Sequence, residues 1–199
     1  MIKILLAEDQ AMVRGALSAL LSLCGQYQVT EAKDGEQALQ LLKNDSFDLL
    51  LSDIEMPGRT GIELAQWVAE NQPKIKVVIV TTFSRAGYIK RAIECGVGGF
   101  LLKDAPSEEL VAAINSVLNG RRVIDPELAM MAIGDKDPLN DKERRSLRLA
   151  AEGKSTADIA TSLFIAEGTV RNYLSEAINK LNASNRIDAA RIAQQKGWL

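Results

Sequence analysis

The 199-residue chain contains no histidine. That absence excludes, within this chain, a Ser-His or Cys-His nucleophile pair, a histidine-containing metal site and a phosphohistidine intermediate. Cysteine is scarce. Cys24 and Cys95 stand far apart without metal-type spacing, and they read as two reduced thiols packed on helices. No run of about 18 apolar residues occurs, and the start MIKILLAEDQ lacks the long apolar core of a signal peptide. No membrane segment is expected, and a cytoplasmic protein is. Internal repeats and low-complexity tracts are also missing.

What is present divides in two. Residues 1–137 carry 14 Lys+Arg against 19 Asp+Glu, a net of −5, whereas residues 138–199 carry 10 against 7, a net of +3. The asymmetry suggests two domains with different partners, the second partner being anionic. The first 120 residues alternate short apolar runs with amphipathic stretches. Strands are expected at 3–8, 27–31, 48–52, 76–81 and 98–102, and helices at 12–23, 35–44, 61–71, 86–94 and 107–119. Turn chemistry at Asp34-Gly35, Pro57-Gly58, Gly96 and Asn119-Gly120 separates them. Such alternation implies right-handed βαβ units and a parallel sheet with helices on both faces. Residues 121–137 break the pattern and read as a linker with one short helix at 126–133. Only helical signals follow, at 141–152, 156–163, 167–181 and 185–195, with Asn140/Glu143 and Ser155/Asp158 as capping pairs.

The first half concentrates its chemistry at strand ends. The runs KILLAED, DLLLSD, KVVIVT and GFLLKD finish on Glu8-Asp9, Asp53, Thr81 and Lys103. Ligands of open α/β sheets bind beyond the carboxyl ends of the strands where strand order reverses. In a 2-1-3-4-5 sheet that reversal brings Glu8, Asp9 and Asp53 together. Three adjacent carboxylates repel and recruit a cation, and oxygen-only donors favour Mg²⁺ over zinc. An aspartate can attack a phosphoryl group to form an acyl phosphate, while Lys103 and the Thr81 hydroxyl can hold phosphoryl oxygens. With no histidine in the chain, the phosphoryl donor must come from outside.

At this point the residues reach a family. AED at 7–9, SDIEMPGRTG at 52–61, VTT at 80–82 and GFLLKD at 99–104 resemble the receiver domain of bacterial two-component response regulators. The resemblance covers residues 1–120 and implies a flavodoxin-like (βα)5 fold. It implies that Asp53 accepts a phosphoryl group from a partner histidine kinase. Asp9, Asp53 and the backbone carbonyl of Glu55 would coordinate Mg²⁺, with Glu8 acting through water. Thr81 and Phe100 would form the switch, the ring following the hydroxyl inward on phosphorylation. The sequence departs from many receivers at Lys103-Asp104, where a proline is common, and at Thr82, where smaller residues are common. Glu55 and Phe83 flank the site and are expected to tune the phosphate's lifetime.

In the second half, helix 167–181 is the informative one. At about 100° per residue, Val170, Leu174, Ala177, Ile178 and Leu181 share one arc. Gly168, Arg171, Asn172, Ser175, Asn179 and Asn182 share another, with no acid and no bulky apolar group. Small hydrogen-bonding groups and one arginine suit base edges in a major groove. Helix 156–163 joins it through a short turn at Phe164-Ile165, which makes a helix-turn-helix with 167–181 as reader. Residues 138–199 resemble the four-helix, all-α DNA-binding domain of NarL/LuxR-type (FixJ) regulators, most specifically at IA 159–160, GTV 168–170 and KL 180–181. By that resemblance Arg171, Asn172 and Ser175 touch bases, Thr169 and Lys180 contact phosphates, and helix 185–195 dimerises through Ile187, Ala190 and Arg191. IEMPGRTG, TTFSRAGY, APSEELVAAI and GTVRNY also resemble the subgroup of desaturase-gene regulators. Pairing in that subgroup involves helices 12–23 and 107–119, and here Leu17, Leu20 and Leu21 are the candidates.

The expectation is a phosphorylation-activated transcription factor that forms a homodimer on double-stranded DNA. Two rivals stay open. One is a Mg²⁺-dependent aspartyl phosphohydrolase, because Glu55 stands two residues after Asp53 where such an enzyme keeps a general acid. The other is a receiver-controlled adaptor whose helical half binds a protein.

Overall fold

The computed structural model describes residues 1–82, 85–124, 129–130 and 137–199. They fall into two compact units, the larger running essentially to residue 132 and the smaller from 133 to the end.

In the larger unit β1 (Ile2–Ala7), α1 (Ala11–Leu23), β2 (Tyr27–Ala32), α2 (Gly35–Asn44), β3 (Leu49–Ser52), α3 (Gly61–Asn71), β4 (Lys76–Thr81), α4 (Ala86–Glu94), β5 (Gly99–Leu102) and α5 (Ser107–Leu118) alternate as the sequence implies. The sheet is parallel with order β2-β1-β3-β4-β5, and a sixth strand, β6 (Val123–Ile124), extends it beyond β5. That strand corrects the reading of 121–137 as linker throughout. Gly99 and Phe100 pair with Val123 and Ile124, two residues too few to show any periodicity. The short helix expected at 126–133 lies mostly outside the described residues.

The strands alternate between two cores, as a period of two requires. Leu5, Leu50, Val77, Ile79 and Phe100 pack beneath α2, α3 and α4. Ile4, Leu6, Leu49, Leu51, Val78, Val80 and Leu101 pack beneath α1 and α5. Of the α1 leucines, Leu21 is wholly buried in the second core and is withdrawn as a pairing candidate, while Leu17 and Leu20 are half-buried. Register then aligns the strand ends. Ala7 pairs with Ser52 and Thr81 with Leu102, so Glu8, Asp53 and Lys103 emerge together at one edge.

The smaller unit contains α6 (Asp141–Ala151), α7 (Thr156–Leu163), α8 (Glu167–Lys180) and α9 (Arg186–Lys196). Both expected capping boxes form, on Asn140/Glu143 and Ser155/Asp158. Leu147, Ile159, Val170, Leu174, Ala177, Ala189 and Ala193 make its core. Between α7 and α8 the chain turns at Phe164, which takes a left-handed conformation (φ 56°) and is 95% exposed. A bulky residue there is strained, and its ring gains nothing from burial. Phe164→Asn is expected to stabilise the unit by about 0.5–1 kcal/mol, because asparagine tolerates this conformation. A melting temperature at or below that of the parent chain would contradict this.

Candidate phosphoacceptor site and DNA-reading helix

Four backbone positions build the first site. The Asp53 amide donates to Ala7 O and the Lys103 amide to Thr81 O, both at 2.9 Å, which fixes the residues just past β3 and β5 against their neighbours. The side chains then converge. Lys103 Nζ lies 2.7 Å from Glu8 Oε2 and 2.8 Å from Asp53 Oδ2. Carboxylate oxygens of Glu8, Asp9 and Asp53 all lie within 4.8 Å of one another. Glu8 and Asp53 are buried and Asp9 is exposed, so the cluster opens to solvent on the Asp9 side. The donors are oxygen only and carry more negative charge than one ammonium offsets, which suits a hard divalent cation.

Burial sets the electrostatics. It pushes the Glu8 carboxyl above its ordinary range, against the opposing hydrogen bond and charge of Lys103. Burial also pulls the Lys103 ammonium down, but its hydrogen bonds to Asp53 and Glu8 outweigh that and leave it raised. Lys103 is therefore held charged, and an added cation would relieve the buried Glu8 carboxyl. Asp53 Oδ1 accepts from the Ile54 amide at 2.6 Å. Its two oxygens are thus oriented separately, one by backbone and one by Lys103.

Thr81 is fully buried at the end of β4, and Phe100 is buried in the core cluster that also holds Tyr88 and Ile89. Phe83 lies outside the described residues. Two features escaped the sequence reading. Arg14 of α1 donates to Glu8 O at 2.7 Å while its Nε reaches Glu31 Oε2 at 3.3 Å, which ties the acidic loop to α1 and β2. The Glu55 carboxylate accepts from the Tyr88 hydroxyl at 2.6 Å. The separations of 17 and 33 residues leave no local signal for either bond.

On the smaller unit, α8 presents the two expected faces. Val170, Leu174, Ala177 and Leu181 are buried, with Ile178 packed against them. Gly168, Arg171, Asn172, Ser175, Asn179 and Asn182 are all exposed, and Thr169 is half-buried. The Arg171 guanidinium lies 3.6 Å from Glu167 Oε2, an exposed pair that constrains it little.

One sequence assignment is corrected here, and another residue has a partner the sequence did not show. Lys180 Nζ sits 2.8 Å from both carboxylate oxygens of Glu143, a buried group that also caps α6. Burying that carboxylate demands a partner, and Lys180 supplies it. Ala190 is only 3% exposed and belongs to the core, so it is unavailable for pairing. Ile187, at 74%, projects from the surface, as does Arg191, whose guanidinium bonds Asp188 at 2.8 Å.

The geometry agrees with comparisons to known proteins. Residues 4–115 match the profile of the response regulator receiver domain, and residues 137–193 match that of bacterial regulatory proteins of the luxR family. The chain is 46% identical to the transcriptional regulatory protein DesR of Bacillus subtilis, covering 100% of this chain and 99% of that one. It is also 46% identical to the uncharacterized transcriptional regulatory protein YvfU of the same organism, over the whole of both chains. Identity alone therefore does not choose between them. Among solved structures, the response regulator ChrA of a heme-sensing two-component system is 32% identical, with a TM-score of 0.55 over 100% of this chain and 98% of that one.

Proposed function

The chain belongs to the response regulators that join a receiver domain to a LuxR-type DNA-binding domain, and from that premise we propose that Asp53 is its phosphoacceptor. The observation that carries this is the Lys103 ammonium bridging Asp53 and Glu8 beside the exposed Asp9 carboxylate. A partner histidine kinase supplies the phosphoryl group, since the chain has no histidine of its own. Asp9, Asp53 and the Glu55 carbonyl would hold Mg²⁺, with Glu8 acting through water. When bound, the ion offsets negative charge on the phosphoryl oxygens. Lys103 then turns from Asp53 to one phosphoryl oxygen, the Thr81 hydroxyl donates to another, and Phe100 holds the inward position behind it.

Phosphorylation favours pairing of the chain through α1 and α5. Leu17 and Leu20 border a cavity of about 190 Å³ with Leu110 of α5, and Met12 and Leu23 of α1 are 87% and 85% exposed. A dimer places two α8 helices on neighbouring half-sites of double-stranded DNA, with Arg171, Asn172 and Ser175 on base edges and Thr169 on the backbone. The bond turning the Glu55 carboxylate towards Tyr88 gives the phosphohydrolase reading no support.

The test uses a small phosphoryl donor with Mg²⁺ on the purified chain and on Asp53→Ala. Wild type is expected to gain one phosphoryl group, dimerise and bind DNA more tightly, and Asp53→Ala to do none of these. An Asp53→Ala chain that responds like wild type overturns the reading, and repeated turnover of a phosphate ester would favour the hydrolase.

Arg171 and Lys180 should separate cleanly. Arg171→Ala is expected to weaken specific DNA binding by about 1–3 kcal/mol, roughly 5- to 150-fold, without changing the fold. Lys180→Ala is expected to lower the melting temperature by stranding the buried Glu143 carboxylate, while leaving the salt slope of DNA binding unchanged. Full operator affinity in Arg171→Ala would favour the adaptor reading.

A further inference from the structure

Glu55 stands two residues beyond Asp53, yet among the described residues the cluster of mutually close carboxylates contains only Glu8, Asp9 and Asp53. The Glu55 side chain instead meets α4, where the Tyr88 hydroxyl donates to Oε1 at 2.6 Å. Tyr88 has little freedom. It is 2% exposed, packs in the same core as Phe100 and carries the Arg91 guanidinium 5.6 Å from its ring centroid. A short bond from a fixed phenol to a carboxylate is of the charge-assisted kind, the strong class. A rigid aromatic whose one polar side-chain atom ends on an acid beside the phosphoacceptor has a use beyond packing.

We infer that Tyr88 is a positioning residue that holds the Glu55 carboxylate off the phosphoryl group and so prolongs the Asp53 acyl phosphate. The inference rests on the reading of Asp53 as phosphoacceptor. Hydrolysis proceeds when a water oxygen bonds to phosphorus as the Asp53 Oδ–P bond breaks. Asp53 recovers its carboxylate, and phosphate leaves as H₂PO₄⁻ with both protons of the water. A carboxylate beside the phosphoryl group accepts a hydrogen bond from that water and aims it along the line of attack. With Oε1 held by Tyr88, Glu55 is kept from that role.

The experiment compares wild type, Tyr88→Phe, Glu55→Ala and the double variant. Each full-length chain is loaded with a small phosphoryl donor and Mg²⁺, freed of donor, and followed by intact mass. Tyr88→Phe is expected to shorten the acyl-phosphate half-life roughly fivefold. Glu55→Ala is expected to match or exceed the wild-type half-life, and Tyr88→Phe to change nothing further in that background. An unchanged half-life in Tyr88→Phe, or the same shortening with and without Glu55, overturns the inference. Glu55→Ala alters no core residue, so a half-life below wild type in that variant overturns it even if Tyr88→Phe fails to fold. Absence of any label on wild type would instead overturn the phosphoacceptor reading, and this inference with it.

Discussion

Arg144→Ala is expected to unfold the smaller unit at physiological temperature. The Arg144 side chain is 11% exposed, and its planar fork serves four acceptors at once. Nε donates to Trp198 O at 2.7 Å, one terminal nitrogen to Asp141 at 2.6 Å, and the other to Asp137 at 2.6 Å and Leu139 O at 2.8 Å. These bonds fasten the segment entering α6 and the segment leaving α9 to α6 itself. Truncation leaves the Asp137 carboxylate, only 13% exposed, without its counter-ion. Removing one partner of a buried ion pair costs about 3–5 kcal/mol. A unit below about 70–80 residues rarely derives more than about 3–5 kcal/mol from its core, so the loss is comparable to the whole stability. Arg144→Lys should not rescue it, because one compact ammonium cannot satisfy a fork of acceptors. Trp198, 7% exposed, reports this unit and Trp67 of α3 the other. Guanidinium unfolding followed by fluorescence in a Trp67→Phe background measures the effect, and a midpoint equal to that of the parent chain would refute it.

The distinction between what the sequence showed and what it hid follows the range of each interaction. Strand ends were legible because burial on both faces makes β1, β3 and β4 continuous apolar runs, so the first polar residue after each run marks the sheet edge. The polar face of α8 was legible because helical periodicity sorts Arg171, Asn172 and Ser175 away from Val170 and Leu174 within a single helix. The Lys180–Glu143 pair was hidden because its partners stand 37 residues apart, and a basic residue near a helix end looks solvated until its neighbour is known. Ala190 was misread because alanine fits a face or a core equally well. The β6 strand escaped because two residues define no pattern, and its identity comes from pairing with Gly99 and Phe100. The Thr60/Glu63 capping box on α3 has the same three-residue spacing as the boxes at Asn140 and Ser155, and so is a local signal that the sequence does carry.

That capping box leads to the second large effect, at Gly61. The first residue of α3 rests directly on the strand end that carries Asp53. Its amide donates to Ile54 O at 2.9 Å, and a Cβ added at Gly61 would lie 1.9 Å from Asp53 O and 2.7 Å from Ser52 Oγ. The clash is with backbone, so no side-chain rotation relieves it. Either α3 lifts away or the Asp53 carbonyl moves, and both displace the loop that carries Asp53, Ile54 and Glu55. Gly61→Ala is expected to cost about 1–3 kcal/mol as overpacking. Its effect on chemistry is larger, since a misplacement of about 1 Å at a reacting centre can cost about 100-fold in rate. The rate of Asp53 labelling by a small phosphoryl donor is therefore expected to fall about 100-fold while the chain stays folded. Gly15→Ala is the control. A Cβ there meets nothing within 4 Å, and an interior helix position of α1 should gain stability from alanine with labelling unchanged. A Gly61→Ala chain that labels as fast as Gly15→Ala would show that Asp53 does not depend on the seat of α3. A slow, folded Gly61→Ala chain would show the opposite: Asp53 is positioned from below by a glycine, as well as from the side by Lys103.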